Sequence, residues 1–277
     1  MIKKHLITCT AMLVVLLVTK LFIYSTPINP LAVIKYNKQP RKTEVSTDKY
    51  FNSLSFANEN IPEGDAKVKK RMKKILKAHK YQHLQTNILH RKAAIYFPVI
   101  EPILKYYGIP QDFKYLPLVE SGLQGGTSPK GASGYWQFMP QTARDFGLKV
   151  DSSVDERQMI AKSTVAACKY LRSLYREFDS WTLAAAAYNI GEGSLKRQMN
   201  KQNQDDYFKM KLNHETATYV YKLISMKEII ENPQLHGYKS RSARLLAKVP
   251  VKQKKDFTHF NPVAENTTLL GLQIHKN

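Results

Sequence analysis

Tyr115-Leu-Pro-Leu-Val-Glu120-Ser-Gly-Leu-Gln-Gly-Gly-Thr-Ser-Pro-Lys-Gly-Ala-Ser-Gly134-Tyr-Trp-Gln-Phe-Met-Pro140 is the stretch on which the reading of this chain turns. One carboxylate, Glu120, closes an apolar run. A Gly/Ser-rich loop then leads to the cluster Tyr135-Trp-Gln-Phe-Met139. A carboxyl group held against apolar surface keeps its proton toward neutral pH, as a general acid for cleaving a sugar linkage must.

Outward from this stretch the pattern is helical. Leu84, Ile88, Ile95, Tyr96, Val99, Ile100, Ile103 and Leu104 recur at three- and four-residue steps, which predicts helix up to about Tyr106. Pro98 and Pro102 predict a break, kink or restart near Phe97–Pro98. A short helix from about Gln111 brings Phe113, Leu116 and Glu120 onto neighbouring faces, with Pro117 delaying its start. Downstream, Thr142–Phe146 reads as a short helix, and Ser153-Val-Asp-Glu156 as a capping box. Behind it Ile160, Thr164, Ala167, Cys168, Leu171, Leu174, Tyr175 and Phe178 give the clearest helix of the chain. Trp181–Tyr188 and Glu215–Ile230 are two more, the latter with Glu215 and Tyr219 on one face. No alternating pattern occurs before the last 40 or so residues, where Thr267–Ile274 reads as a short strand. The expected fold is all-α with at most a minor β element, centred on residues 81–235.

The flanks read differently. Residues 28–80 form a basic stalk or lead-in with weak periodicity, within which 66–80 is a basic amphipathic helix. Residues 236–277 form a tail. Residues 1–27 begin Met-Ile-Lys-Lys-His, followed by an apolar run from Leu6 to Thr19. Two readings of this start stay open: a cleaved secretory signal, or an uncleaved membrane anchor from Leu6 to Tyr24. Both carry the rest of the chain out of the cytoplasm.

The net charge of +21 suits anionic partners: nucleic acid, acidic lipid or an anionic wall polymer. No Arg/Gly-rich repeat or nucleic-acid motif interleaves the lysines, so nucleic-acid binding is not expected. Cys168 is the only cysteine beyond the apolar start, which excludes an internal disulfide there, and its apolar stripe marks a core thiol. The eight histidines are scattered without paired ligand spacing. Neither a metal nor a cofactor is expected.

An ordered series of pieces carries a resemblance. It comprises Glu120-Ser121, Ser128-Pro-Lys-Gly-Ala-Ser-Gly134, Tyr135-Trp-Gln-Phe-Met-Pro140, Asp155-Glu-Arg157, Ser163-Thr164, Ala186-Ala-Tyr-Asn-Ile-Gly191 and Glu215-Thr-Ala-Thr-Tyr-Val220. Over about half its length the chain resembles the lytic transglycosylases of glycoside hydrolase family 23, with their goose-type-lysozyme-like (SLT) fold. The Tyr-Trp-Gln-Phe-Met piece is that of the D-type membrane-bound subgroup. The resemblance implies that Glu120 is the sole catalytic carboxylate. It protonates the oxygen between N-acetylmuramic acid and N-acetylglucosamine in peptidoglycan, then takes the proton of the sugar's own 6-hydroxyl as that oxygen closes onto C1. The product is a 1,6-anhydromuramyl end, made in the bacterial envelope on the periplasmic side.

It also implies that Gln137 and Met139 line the sugar cleft, with Trp136 and Phe138 turned to the core. Tyr188 orients Glu120 or meets substrate, and Asn189 joins the site or ends its helix. Glu215 and Tyr219 are cleft-side residues, Glu215 doubling as a carboxylate favoured by its helix N-terminus. Ser121 bonds the acid or caps a turn. The tail is too short for the LysM array common in the subgroup. Between Glu120 and Asp145 there is no second carboxylate, as a self-supplied nucleophile allows. Two other readings stand: a hydrolytic muramidase on the same fold, and a membrane-tethered peptidoglycan-binding protein without activity.

Overall fold

The computed structural model describes residues 47–84 and 87–238, all within one compact unit, Ser46–Asn277. The apolar start with Cys9, and the strand expected at 267–274, lie outside the described residues. Among the described residues no helix is long and apolar enough to cross a membrane.

Ten α-helices and one two-stranded hairpin make up the regular structure of the described residues, together with short 3-10 turns. They are α1 (Thr47–Asn52), the hairpin β1 (Ser55–Phe56) and β2 (Glu59–Asn60), α2 (Ala66–His79), α3 (Tyr81–Leu84), α4 (Ile88–Tyr106), α5 (Leu116–Ser121), α6 (Pro140–Asp145), α7 (Ile160–Phe178), α8 (Trp181–Ile190), α9 (Glu192–Gln202) and α10 (His214–Glu231). The all-α expectation holds.

Helix α10 is the axis of the unit. It buries Thr216, Tyr219, Val220, Tyr221, Leu223, Ile224, Met226 and Ile229, so it is covered on nearly every side, as a helix without a polar face must be. Helices α2, α8 and α5 pack against it. Helix α7 lies between α4 and α8, where the fully buried run Ala184–Ala187 lets the backbones approach closely. Cys168 is buried on α7, and burial pushes its thiol well above the ordinary range, so it is a packed core group and not a nucleophile.

Three expectations need correction. Helix α4 runs unbroken through Pro98 and Pro102. Their four-residue spacing puts both on the exposed face, so the carbonyls they leave without an N–H partner, those of Ala94 and Pro98, are on the side open to water. The capping box at Ser153 is absent. Ser153 instead donates to Asp151, Asp155 caps a 3-10 turn at Glu156–Gln158, and α7 starts at Ile160 without a side-chain cap.

The third correction concerns the stalk or lead-in expected over 28–80, of which residues 47–79 pack into the unit; the basic amphipathic helix expected within it at 66–80 is present as α2. Phe51, Leu54, Phe56, Ile61, Val68, Met72 and Leu76 are all buried. The hairpin turns through Ala57 and Asn58, both at positive φ (52° and 66°), which matches the twist of a two-residue turn. It carries Glu59 to the start of α8, where the carboxylate accepts from the Thr182 amide at 3.0 Å and the Thr182 hydroxyl at 2.7 Å. An anion at a helix N-terminus is stabilising. Asp112 accepts from the Ala57 amide at 2.7 Å and pairs with Lys227 at 2.8 Å, a second tie. Met72→Ala is therefore expected to cost about 2–5 kcal/mol, a fall of roughly 5–15 °C in melting temperature for a unit of this size. A thermal melt unmoved by this substitution contradicts the placement of α2 in the core.

Candidate active site

Glu120 sits in the last turn of α5, two residues before Gly122, whose left-handed backbone (φ 60°) ends the helix and turns the chain into the loop. The 3-10 turn Gln111–Tyr115 takes up the chain ahead of Pro117, so α5 starts only at Leu116, as the proline requires. Phe113, Leu116 and Leu118 are buried and anchor the segment. Glu120 keeps some accessible surface but is densely surrounded by protein. Burial pushes its carboxyl up to about 7. A hydrogen bond from the Tyr219 hydroxyl to Oε1 pulls the other way; nearby Glu215 raises the value and Lys222 lowers it.

Those three neighbours share α10. Glu215, Tyr219 and Lys222 recur at steps of four and three, which puts them on one helical face. Tyr219 is buried; Glu215 lies exposed in the first turn, behind the Asn213 cap. Asn189, at the end of α8, donates to Glu215 Oε1 at 3.2 Å and accepts from the Thr216 hydroxyl at 2.8 Å, pinning the two helices together. The fold thus brings a second carboxylate, Glu215, into the electrostatic field of Glu120. Its 95-residue separation hid it from local inspection.

Tyr188 is a neutral phenol, kept protonated first by burial and then by the charge of nearby Glu120, and its hydroxyl donates to the Trp136 carbonyl at 2.7 Å. It holds the loop and does not bond the acid. Ser121 is likewise not a partner of Glu120. Its hydroxyl faces the carbonyls of Tyr135 (2.8 Å) and Pro117 (3.1 Å) and accepts from the Gln124 amide.

The loop 122–139 is a built object. Ser133 and Phe138 exchange backbone hydrogen bonds at 3.0 and 3.1 Å. Trp136 is fully buried, its indole donating to Thr164 at 2.9 Å, and Phe138 is buried beside it. Between them Gln137 is half-buried at φ 48°, its amide nitrogen donating to the Gly134 carbonyl at 2.8 Å. Met139 is 46% exposed, so a large apolar side chain is presented to solvent at the start of α6. The alternation read from the sequence, core for Trp136 and Phe138 and outward for Gln137 and Met139, holds.

Two residues that hold this loop were quoted in the sequence without a role. Arg157 is 6% exposed, with its Nε and Nη2 donating to both oxygens of Asp155 at 2.8 Å. Its Nη1 donates to the carbonyls of Gly131 and Phe138, each at 2.9 Å. A buried guanidinium with every bond directed is a clamp. Lys222 belongs to no motif of the sequence; its three-residue step from Tyr219 is the signal that places it on the same face. Among the described residues no group of His, Cys, Asp and Glu is arranged to hold a metal.

Comparison with known proteins bears on this arrangement. Residues 97–211 match the family model "Transglycosylase SLT domain", a range that contains Glu120, Gln137, Met139, Tyr188 and Asn189 but ends before Glu215 and Tyr219. Membrane-bound lytic murein transglycosylase D of Escherichia coli (strain K12) is 32% identical over 208 residues, 70% of this chain and 45% of that protein. The chain therefore spans less than half the length of that relative. A protein of Alteromonas sp. (strain M-1), named for tributyltin chloride resistance, is 32% identical over 146 residues, 48% of this chain and 70% of its own length. Among solved structures, an inactive mutant of lytic transglycosylase Slt from Pseudomonas aeruginosa aligns at a TM-score of 0.38 and 22% identity, over 51% of this chain and 24% of that one. The segment 97–211, which holds Glu120 and Tyr188, belongs to the transglycosylase SLT domain family.

Proposed function

We propose that this chain is a lytic transglycosylase of the bacterial envelope, cutting the bond between N-acetylmuramic acid and N-acetylglucosamine in peptidoglycan. The observation that carries the reading is Glu120, a carboxyl held protonated to about 7 by burial. Tyr219 donates to Oε1, which leaves Oε2 to carry the proton. Glu120 gives that proton to the glycosidic oxygen as the C1–oxygen bond breaks, and the N-acetylglucosamine side leaves as an alcohol. The carboxylate then takes the 6-hydroxyl proton while O6 bonds to C1. The acid is regenerated, no water is consumed, and the product is a 1,6-anhydro end. Gln137 offers an amide to the acetamido groups, and Met139 offers a thioether surface to their methyls. Tyr188, Ser121 and Arg157 hold the loop that presents them. Asn189 holds Glu215 at the rim.

A second reading, hydrolysis, draws on one observation: Glu215 lies within the field of Glu120, as a carboxylate that activates water would. Its exposure and its bond from Asn189 favour a rim residue that lifts the pKa of Glu120. Glu215→Gln separates the two. On the transglycosylase reading, turnover falls by less than about tenfold, since only a supporting charge is lost, and the products keep their anhydro ends. A collapse of turnover comparable to loss of Glu120 identifies Glu215 as the water activator.

The pH dependence follows from the same geometry. Glu120 must hold its proton to begin the reaction, so kcat/KM falls above about pH 7. The Tyr219 bond favours the carboxylate form and holds the pKa down. Tyr219→Phe is therefore expected to move the alkaline limb upward by about one to two pH units, because a hydrogen bond to a charged group is worth ~1.5–3 kcal/mol. A limb that stays put, or moves to lower pH, shows that Glu120 is not the group that titrates.

A further inference from the structure

Helix α2 carries a charged face that the active site does not use. Its sequence from Ala66 to His79 contains no Asp or Glu. Val68, Met72 and Leu76 are its buried stripe. Lys67, Lys70, Lys74 and Lys77 are all exposed and recur at steps of three, four and three. At 100° per residue the centre of this lysine row lies about 180° from the buried stripe. None of the four takes part in an ion pair among the described residues; Asp65, next to the start of the row, is spent on the helix cap, accepting from the Lys67 and Val68 amides. The row is straight and about 15 Å long, from the rise of 1.5 Å per residue.

Its orientation is fixed by a second helix. Arg71 donates to the Ala217 carbonyl of α10 at 3.2 Å, and its guanidinium lies over the Tyr221 ring at 5.5 Å. Ala217 and Tyr221 each lie two residues from Tyr219, about 160° around α10 from the side chain that meets Glu120. The lysine row therefore faces away from the catalytic carboxyl, with α2 and α10 between them. A flat anionic surface against the lysines leaves the approach to Glu120 open.

We infer that the Lys67–Lys70–Lys74–Lys77 row docks the folded unit on an anionic phospholipid bilayer, with Glu120 turned away from it. The phosphate layer of a bilayer is flat and negative, which suits a straight row of ammonium groups with no apolar wedge among them. No aromatic side chain is interleaved for stacking on nucleic-acid bases. A glycan strand held at Glu120 lies on the opposite side of α10. The apolar run Leu6–Thr19 stands upstream in the sequence, and the chain between Tyr24 and Thr47 spans at most about 80 Å, so the row stays within reach of any bilayer that run meets.

The test uses the full chain and two sets of vesicles, phosphatidylcholine alone and phosphatidylcholine with phosphatidylglycerol. The readout is the ratio of the two affinities, which cancels binding through the apolar run. Each lysine near an anionic surface contributes roughly a fivefold gain, so the ratio is expected to exceed about tenfold in 0.1 M salt and to collapse in 0.5 M. Replacing all four lysines by Gln is expected to lower the ratio at least tenfold, while Lys→Arg at the same positions retains it. Gln at the exposed Lys105, Lys149, Lys201 and Lys211 removes the same charge and is expected to leave most of the ratio intact. Binding needs no turnover, so the result stands apart from the catalytic reading. The proposal is overturned by equal losses in the two quadruple variants, or by an unchanged ratio in the first. It is equally overturned if the first variant loses affinity for isolated sacculi with the vesicle ratio intact, which makes the wall the partner.

Discussion

Replacing Glu120 with glutamine is expected to reduce turnover on peptidoglycan strands by at least about a thousandfold, since one general acid–base is worth ~10²–10⁴ and here the same group acts in both halves of the reaction. Glutamine keeps the shape and can still accept from Tyr219, so the site should survive. The stability of the variant checks the electrostatics independently. In the unfolded chain Glu120 loses its proton near the ordinary value of 4.5, whereas the folded chain holds it to about 7. Between these values the folded state binds more protons than the unfolded one, so stability falls as pH rises through that window. Glu120→Gln removes this penalty. The variant should gain stability over the wild type at pH 8, with a ceiling of about 3 kcal/mol, and gain nothing from this source at pH 4. Activity and stability thus move in opposite directions. A variant that is inactive and also destabilised at pH 8 points to a structural role for Glu120.

Gly134→Ala is expected to have the largest effect on the fold of the site. Gly134 has φ 79°, and a Cβ built there falls 1.8 Å from the Arg157 carbonyl oxygen and 2.4 Å from its carbon. Both are backbone atoms, and Arg157 is held by Asp155 and by two loop carbonyls, so no flexible side chain can give way. The loop must lift. A forced backbone shift belongs to the exceptional class of substitutions that cost about 4 kcal/mol or more. That corresponds to a fall in melting temperature of roughly 10 °C. Trp136, Gln137 and Met139 leave their places with the loop, so activity should fall with stability. Gly131→Ala is the control. It has φ 86° but nothing within 4 Å of the added methyl, so it carries backbone strain alone, about 1–3 kcal/mol. Equal effects at the two positions contradict the clamp.

What the sequence made legible was what short spacing encodes. The row from Ile160 to Phe178 predicted α7, and the four-residue step from Glu215 to Tyr219 placed both on one face of α10. The alternation of Trp136, Gln137, Phe138 and Met139 separated core from surface, although the backbone achieves it through a turn, with Gln137 at φ 48°, and not through an extended strand. What failed involved partners far away in sequence. Phe51, Leu54, Phe56 and Ile61 have no helical period because a short helix and a hairpin carry them, and much of what covers this segment comes from helices more than a hundred residues later. Ser153 looked like a cap because its own spacing allowed it, while Asp151 and Asp155 took the roles in three dimensions. Glu215 was placed at the cleft by resemblance, but its effect on the charge of Glu120 was not legible in the sequence, for the same reason. The acid itself was legible, but the tyrosine that bonds it was assigned only to the same cleft.

The most direct test of a single carboxyl acting as acid and then base is mass spectrometry of sacculi digested by the full chain at pH 6, with the Glu120→Gln chain alongside. Muropeptides one water lighter than hydrolysis products are expected from the wild type, and intact strands from the variant. Reducing ends from the wild type, or anhydro ends from the variant, contradict it.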